Sequence, residues 1–300
     1  MGDPLSDVVG LLQPSARVSK VVSGAGAWRV RRPATGHPFY CVLLEGSSRL
    51  EVDGSAPIIL REGDFVLIPA VHGFTMSSLK EAGADDVDPS TVTRLADETR
   101  RGNPDGPAES RLLVSHFVFG TPDAALLVSL LPRLVHVRDD QRLSAIVQLV
   151  TEEAGFRRPA REAVLSRLLE VLLLEALRSA GGGAVPHGLL RGLADERLAS
   201  ALRRLHEDPT KAWTVEQLAG EAAMSRSAFF NRFRRAMGVA PMEYLLSWRM
   251  ALAKNLLQRN EIGIQEVAER VGYGSASAFS TAFTRFVGLP PSRYAGQDAI

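Results

Sequence analysis

One stretch near the carboxyl end combines cations with small hydrogen-bonding side chains, which is the chemistry of a nucleic-acid surface. Residues 225–235 hold four arginines and no acid, and they also contain two serines and Asn231. Arginine binds phosphate oxygens, whereas asparagine pairs in bidentate fashion with adenine. The wider segment 195–294 carries 14 basic and 10 acidic residues, a net charge of +4, while the whole chain carries +1. This distribution favours an anionic partner for the last third of the chain.

The basic stretch belongs to a segment that repeats itself fifty residues later. Nine residues of positions 225–244 recur unchanged in positions 275–294. The first members of the nine pairs are Ser225, Ser227, Ala228, Phe229, Phe233, Arg235, Gly238, Pro241 and Tyr244. Self-similarity at a fixed offset indicates one supersecondary unit that is built twice.

Local signals identify the repeated unit as a helix-turn-helix. A capping box at residues 214–217 starts a short helix, and Ser225 caps a second helix whose outer face is basic. The spacing predicts units over about 214–238 and 263–288, joined by a long helix over 241–258. Two units on one spacer should enter successive major grooves, which lie about 34 Å apart. The arginines of the first unit should bind phosphate, and Asn231 is the best candidate for a base contact.

The earlier part of the chain carries strand signals followed by helical periodicity. Short apolar runs between turn residues predict a β-barrel or sandwich over about 18–119, with a long acidic loop over 80–110. Helices are predicted over 121–180. The apolar face of residues 163–179 is broad enough either to pack within its own chain or to form a dimer seam. Residues 181–193 are glycine-rich at their start and predict a linker.

The residues 272–294 resemble the signature of AraC/XylS-type transcription regulators nearly throughout. The resemblance implies an all-α DNA-binding domain with two helix-turn-helix units over 194–300. It also implies which side chains contact DNA, and for Phe230 a buried role is favoured over contact with a thymine methyl group. Together with the exposed arginines, the predicted DNA contacts are Arg226, Ser227, Phe230, Asn231, Arg232, Arg234, Arg235, Ser277, Ser280, Thr281 and Arg285.

The stretch 63–72 resembles the second motif of the cupin-type sensor domains that some of these regulators carry. Residues 1–180 are therefore expected to be a cupin-like sensor and dimerisation domain, and the fold class is α+β with two domains. His37, Cys41 and His72 are the candidate effector-binding residues. The His-x-His pair of the first cupin motif is missing, so neither a metal ion nor a cofactor is expected.

These observations predict a transcription regulator without enzymatic activity, modulated by a small molecule in the barrel. Two alternatives stay open: a metal-dependent cupin enzyme fused to a DNA-binding domain, and an architectural DNA-binding protein that needs no ligand. The candidate partners are double-stranded DNA, a small-molecule effector, RNA polymerase, and a second copy of the chain through residues 163–179. No secretory signal and no membrane-spanning run is recognised, and the single cysteine excludes an intramolecular disulfide, so a cytoplasmic location is expected.

Overall fold

Two units of different architecture make up the chain. The computed structural model describes residues 3–34, 38–69, 73–80, 93–94, 98–120, 124–128, 130–155, 158–180 and 188–296. What we call the sheet unit consists of residues 14–120 and 132–183. The helical unit is assembled from three separate stretches, which are residues 1–13, 121–131 and 184–300.

Ten strands and twelve helices are present in the described part of the chain. The strands are β1 (Pro14–Ala25), β2 (Arg29–Arg32), β3 (Phe39–Val52), β4 (Ile58–Arg61), β5 (Phe65–Ile68), β6 (Phe74–Ser77), β7 (Thr93–Arg94), β8 (Thr99–Gly102), β9 (Ser110–Phe119) and β10 (Val135–Val137). The helices are α1 (Pro4–Leu12), α2 (Ala124–Val128), α3 (Gln141–Gly155), α4 (Arg161–Ala180), α5 (Leu189–Ala194), α6 (Glu196–Glu207), α7 (Val215–Glu221), α8 (Arg226–Met237), α9 (Pro241–Arg259), α10 (Ile264–Arg270), α11 (Ala276–Val287) and α12 (Pro291–Ala295).

The strands form a curled sheet around an apolar core. Their order is β10-β5-β3-β9-β1-β8-β7, and β4 and β6 pair with the second half of β3, while β2 pairs with β6. The register of β3 shifts at a bulge between Leu43 and Glu45, and beyond it β3 pairs with β4 and β6. A Cβ atom at Gly46 would lie 2.0 Å from the carbonyl oxygen of Glu109, so only glycine fits this turn of the strand. Alternate residues of β3, among them Phe39 and Leu50, fill the core.

Two secondary-structure predictions for the sheet unit are wrong. Composition predicts a loop over 80–110, yet β8 lies there and pairs with β1 in the one parallel ladder among the described strands. Periodicity predicts helices throughout 121–180, yet β10 lies there and pairs with β5. Three residues give too short a run for a periodicity to register, so the pairing partner alone defines β10.

The polar residues that favour a loop over 80–110 satisfy one another at the β1–β8 ladder. Glu98 accepts hydrogen bonds from Ser23 (2.6 Å) and Arg100 (2.8 Å). The hydrogen bond from Ser23, then that from Arg100, holds the pKa of Glu98 below its usual range, although its burial opposes this shift. A local composition rule cannot find this strand, because its polar side chains pair with residues more than seventy positions away.

Helix α4 covers the opposite face of the sheet within its own unit. Leu169, Leu172 and Leu173 are buried, and together with Phe65 and Leu67 they line a small shared gap. This packing accounts for most of the apolar face for which the sequence allows either a core or a dimer seam. The large apolar residues that stay exposed on α4 are Val164 and Val171. A dimer contact through residues 163–179 therefore stays a prediction that depends on those side chains.

The helical unit begins with the first residues of the chain. Helix α1 packs against α2, α5, α6 and α9, and most of its apolar residues are buried. Residues 181–187 of the predicted linker lie outside the described residues, but residues 189–193 belong to α5, so the linker is wrong there. Leu189 is fully buried, and its backbone N–H donates to the carbonyl of Leu130 on the second stretch of the same unit.

A buried histidine connects α1 to α6 and α9. The Nδ1 atom of His206 lies 3.1 Å from a carboxylate oxygen of Asp7, and its Nε2 atom lies 2.8 Å from the hydroxyl of Tyr244. Its ring centroid also lies 4.2 Å from that of Trp248. Burial lowers the pKa of His206, although the nearby Asp7 and Asp3 raise it.

Loss of a buried side chain from α1 should destabilise the helical unit. We expect Leu12→Ala to lower the free energy of unfolding by about 2–5 kcal/mol, the usual cost of truncating a buried leucine. Gly10→Ala on the exposed face of the same helix is the matched control, because nothing lies within 4 Å of its added Cβ atom. We expect this control to be neutral or to stabilise by up to about 1 kcal/mol. Denaturant unfolding measures the unfolding free energy of both variants. If Leu12→Ala costs no more than Gly10→Ala, the side chain of Leu12 is not part of the core.

The buried histidine should also make stability depend on pH. Because the pKa of His206 in the folded protein lies below its unfolded value of about 6.5, the unfolded state binds the proton more tightly. Its contribution is therefore complete above about pH 6.5 and is lost as the pH falls below that value towards the folded pKa. We expect His206→Gln to flatten the fall in unfolding free energy in this interval. Identical pH profiles for the variant and the parent protein would contradict the assignment.

Candidate nucleic-acid interface

The first helix-turn-helix is defined by local capping as the sequence predicts. The Thr214 hydroxyl accepts from the N–H of Gln217 (3.2 Å), and the Gln217 side chain accepts from the N–H of Thr214 (2.9 Å). The chain then turns at Ala223, whose φ of 50° is in the left-handed region. Ser225 caps α8 by accepting from the N–H of Ala228. Gly238 ends that helix in the left-handed conformation.

The second helix-turn-helix repeats this geometry. Ser275 caps α11 by accepting from the N–H of Ala278 (3.2 Å). The turn contains one more residue than in the first unit and uses Gly272, whose φ is 80°. The same kind of bond closes both turns, because the N–H of Tyr273 donates to Ala268 as that of Met224 donates to Ala219.

The same aromatic cluster anchors both second helices. In the first unit the ring centroids of Phe229 and Phe233 are 5.5 Å apart, and Phe233 meets Tyr244 edge-on at 5.9 Å. In the second unit the corresponding distances are both 5.4 Å, between Phe279 and Phe283 and between Phe283 and Tyr294. All four phenylalanines are fully buried. Most of the identities in the sequence thus fall on residues that cap or anchor each helix.

The opposite face of α8 is exposed and cationic. Ser227, Asn231 and Arg234 recur at i, i+4 and i+7, so they share the face that points away from the aromatic cluster. Arg226 and Arg235 are also exposed. In the described part of the chain, none of these arginines forms an ion pair. Unpaired guanidinium groups on an exposed helix face suit phosphate oxygens.

Two of the predicted DNA contacts on α8 are less available than the others. The Nε atom of Arg232 donates to the carboxylate of Asp195, and about half of the Arg232 side chain is exposed. Phe230 is half-buried, so its exposure is intermediate between a buried role and contact with a thymine methyl group. Arg232 therefore differs from the arginines beside it, because its charge is partly neutralised by Asp195.

Asp195 is missed at the sequence level, although it begins a helix. Its side chain accepts from the N–H groups of Arg197 and Leu198, and so caps α6 while it also binds Arg232. Burial raises the pKa of this carboxyl, but the hydrogen bonds from Arg232 and from the backbone together lower it by more. The net shift is therefore downward. A groove of about 780 Å³ lies here between α6 and α8, and Arg197, Arg232 and Arg235 are among its lining residues.

The exposed face of α11 is small and largely neutral. Ser277 and Thr281 are exposed, Ser280 is half-buried, and the Thr281 hydroxyl donates to the Ser277 carbonyl (3.0 Å). Because that bond uses the hydroxyl proton, the Thr281 oxygen can still accept a hydrogen bond. Arg285 is exposed and forms no ion pair among the described residues. This face can accept hydrogen bonds and make apolar contacts, but it carries little charge of its own.

Helix α9 connects the two helix-turn-helix units. At its start Tyr244 belongs to the aromatic cluster of the first unit, and further along Met250, Ala253 and Leu257 belong to the core of the second. Arg249 donates to the carbonyls of Pro209 (2.7 Å) and Lys211 (2.8 Å), so the segment before α7 is fixed to the same helix. Nineteen residues at 1.5 Å each make α9 about 28 Å long.

The effector-binding candidates in the sheet unit find no support as a group. His37 and His72 lie outside the described residues. Cys41 packs in the apolar core and is fully buried, and burial raises the pKa of its thiol to about 12. In the described ranges no group of three His, Cys, Asp or Glu side chains could hold a metal ion. Among the helices that the structure describes, none is both long and apolar enough to cross a bilayer.

Comparisons with known proteins match a first and a last part of the chain to two different families. Residues 3–180 match the family described as Cupin, and residues 218–297 match the family described as Helix-turn-helix domain. The chain is 37% identical to an AraC-like transcription regulator of Streptomyces lividans, over 97% of each chain. It is 36% identical to one of the same name from Streptomyces antibioticus, over 97% of this chain and 98% of that one.

One similar solved structure is that of the DNA-binding domain of AdpA, a global transcriptional factor, in complex with a target DNA. It is 35% identical, covers 33% of this chain and 88% of that chain, and superimposes with a TM-score of 0.31. The family matches confirm the predicted α+β class, with a cupin first part and a helix-turn-helix last part. The names of the relatives point to a non-enzymatic regulator.

The ion pair between Asp195 and Arg232 should weaken the interaction with nucleic acid. Asp195→Asn keeps a good capping residue but releases Arg232, so we expect tighter binding to any duplex. The slope of log K against log salt should steepen by about 0.9, because the released Arg232 can bind one additional phosphate. Glu196→Gln is the matched control, since it removes the same charge one residue away from the contact with Arg232. If both variants bind alike in a salt titration, the ion pair has no special role.

Proposed function

We propose a specific mode of DNA recognition from the premise that this chain belongs to the AraC-type family of DNA-binding transcription regulators with a cupin N-terminal domain. In this mode α8 and α11 enter successive major grooves on one face of an operator. The observation that carries the proposal is the duplicated aromatic cluster. Tyr244 of α9 meets Phe233 of α8, and the phenylalanines of α11 share an apolar core with Met250 and Leu257 of α9. Because both helices are fixed to one rigid element, they should dock as a pair rather than independently.

The two helices should make unequal contributions to binding. Arg226, Arg234 and Arg235 around α8 are exposed and unpaired among the described residues, so we assign to them most of the phosphate contacts and of the affinity. On α11 only Arg285 carries a charge, so this helix should add hydroxyl and methyl contacts. We therefore expect the half-site under α8 to bind more tightly and that under α11 to tolerate more base changes.

Base selection in the first half-site is assigned to Asn231. Its side chain lies at the centre of the exposed face, between Ser227 and Arg234, and faces away from the buried phenylalanines. An asparagine amide both donates and accepts, so it matches the N6 and N7 atoms of adenine in the major groove. Ser227 can add a hydrogen bond to either kind of base edge.

Regulation by a ligand in the sheet unit is the second part of the proposal. A ligand can change DNA binding only if it interacts differently with two conformational states of the protein. A cytoplasmic location follows for a protein whose ligand is promoter DNA. Contact with RNA polymerase and a homodimer through residues 163–179 complete the proposal.

Substitutions on α8 should separate affinity from specificity. We expect Arg234→Ala with Arg235→Ala to weaken binding to all duplexes, and to reduce the salt slope by about 0.9 for each phosphate that is no longer bound. We expect Asn231→Ala instead to remove the preference at one base position, worth about 1–3 kcal/mol, and to leave the salt slope unchanged.

Selection from a random-sequence duplex library, followed by titration at several salt concentrations, measures both effects with the purified full chain. Arg203→Ala on the exposed face of α6 serves as the control, because it removes an arginine that has no ion pair among the described residues and lies outside both helix-turn-helix units. Uniform losses across all sequences from both α8 variants would contradict this division of roles.

A further inference from the structure

The sheet unit contains a cavity that is lined by apolar side chains and two arginines. It has a volume of about 50 Å³, and its walls include Trp28, Phe39 and Phe74. The ring centroids of Phe39 and Phe74 lie 4.6 Å apart, and His116 lies 5.3 Å from Phe39. None of the described residues that line the cavity is acidic. The walls are thus suited to a hydrocarbon or aromatic group.

Two arginines reach this cavity from different strands. Arg101 on β8 is only 4% exposed, and Arg32 at the end of β2 is half-buried. The neighbouring Arg31 is held by Asp53 through two bonds of 2.7 and 2.6 Å. Arg32 forms no ion pair or side-chain hydrogen bond among the described residues. The alternation of β2 therefore places a paired arginine on one face and an arginine without a carboxylate on the cavity side.

A cation in this position is costly without an anion. Burial lowers the pKa of Arg32, which expresses the loss of its hydration. A guanidinium group that is partly dehydrated, as that of Arg32 is, gains stability when an anion pairs with it. A carboxylate would supply the missing charge, because its two oxygens match the planar fork of a guanidinium group.

We propose that this cavity is a binding site for a small organic carboxylate, whose oxygens pair with Arg32 and Arg101 and whose apolar body lies against the aromatic wall. The volume has room for on the order of four water molecules, so a carboxylate of a few carbons fits. The identity of the ligand does not depend on DNA binding. Its part in regulation rests on the proposed function above.

Calorimetric titration of the full chain with butyrate and with its neutral isostere butyramide tests the charge requirement. We expect butyrate to bind, and butyramide to bind at least tenfold more weakly. Inorganic phosphate tests the apolar wall, since it carries charge without a hydrocarbon body, and we expect it to bind more weakly than butyrate. Equal binding of butyrate and butyramide, or tighter binding of phosphate, would overturn the assignment.

Substitution of Arg32 separates a ligand contact from a structural role. We expect Arg32→Gln to weaken butyrate binding at least tenfold, while the melting temperature of the ligand-free protein stays equal or rises. Arg32→Lys should retain part of the affinity, and Arg49→Gln, on an exposed position of β3, should change neither quantity. Unchanged butyrate affinity in Arg32→Gln would contradict the proposed site. A lowered melting temperature together with an unchanged ratio of butyrate to butyramide affinity would contradict it as well.

The same samples are tested for binding to a selected operator duplex. We expect butyrate to change operator affinity in the parent protein and to have no effect in Arg32→Gln. Operator binding without any butyrate binding would overturn the carboxylate site alone. Butyrate binding by a protein that shows no preference for any duplex would overturn the proposed function alone.

Discussion

The packing of two aromatic clusters on a single helix constrains the whole DNA-binding half of this protein. Helix α9 contributes Tyr244 to one cluster and Met250 and Leu257 to the core of the other. Each cluster fixes the rotation of the helix above it, so the same buried contacts decide which side chains of α8 and α11 face outward. The hydrogen bonds of Arg249 to the segment before α7 add a second connection to α9. The basic face is therefore a consequence of core packing and requires no contact among its own side chains.

Arginine serves two distinct purposes in the chain. Arg31 and Arg100 are held by carboxylates within the sheet unit. Arg234 and Arg235 on α8, and Arg32 at the cavity, have no such partner among the described residues. A phosphate backbone in one case and a small anion in the other would neutralise these charges. Arg232 combines the two situations, because it is both exposed and held by Asp195.

The sequence was sufficient for the parts of the fold that follow from local rules. Ser225 and Gly238 cap α8, and Pro241 begins α9. Because the same residue types recur fifty positions later, the sequence predicts the helix ends of both helix-turn-helix units. The pairing of β8 with β1 could not be predicted, because its signal lies in the mutual satisfaction of Glu98 and Ser23. The contact of Asp195 with Arg232 spans 37 positions and leaves no periodic pattern. For the candidate site, residue types were accessible from sequence, but the distinction between paired and unpaired arginines required the tertiary structure.

The assembly of the helical unit from three stretches has an evolutionary consequence. A recombination event that joins a new sensor to the last hundred residues would leave behind Leu5, Val8 and Leu12, whose burial belongs to that unit. The recipient half would then present an uncovered apolar surface where α1 had packed. Exchange of the sheet unit should therefore require an insert that begins after residue 13 and restores the segment around Leu130. Such an exchange inserts one gene segment within another, so it is harder to achieve than fusion end to end.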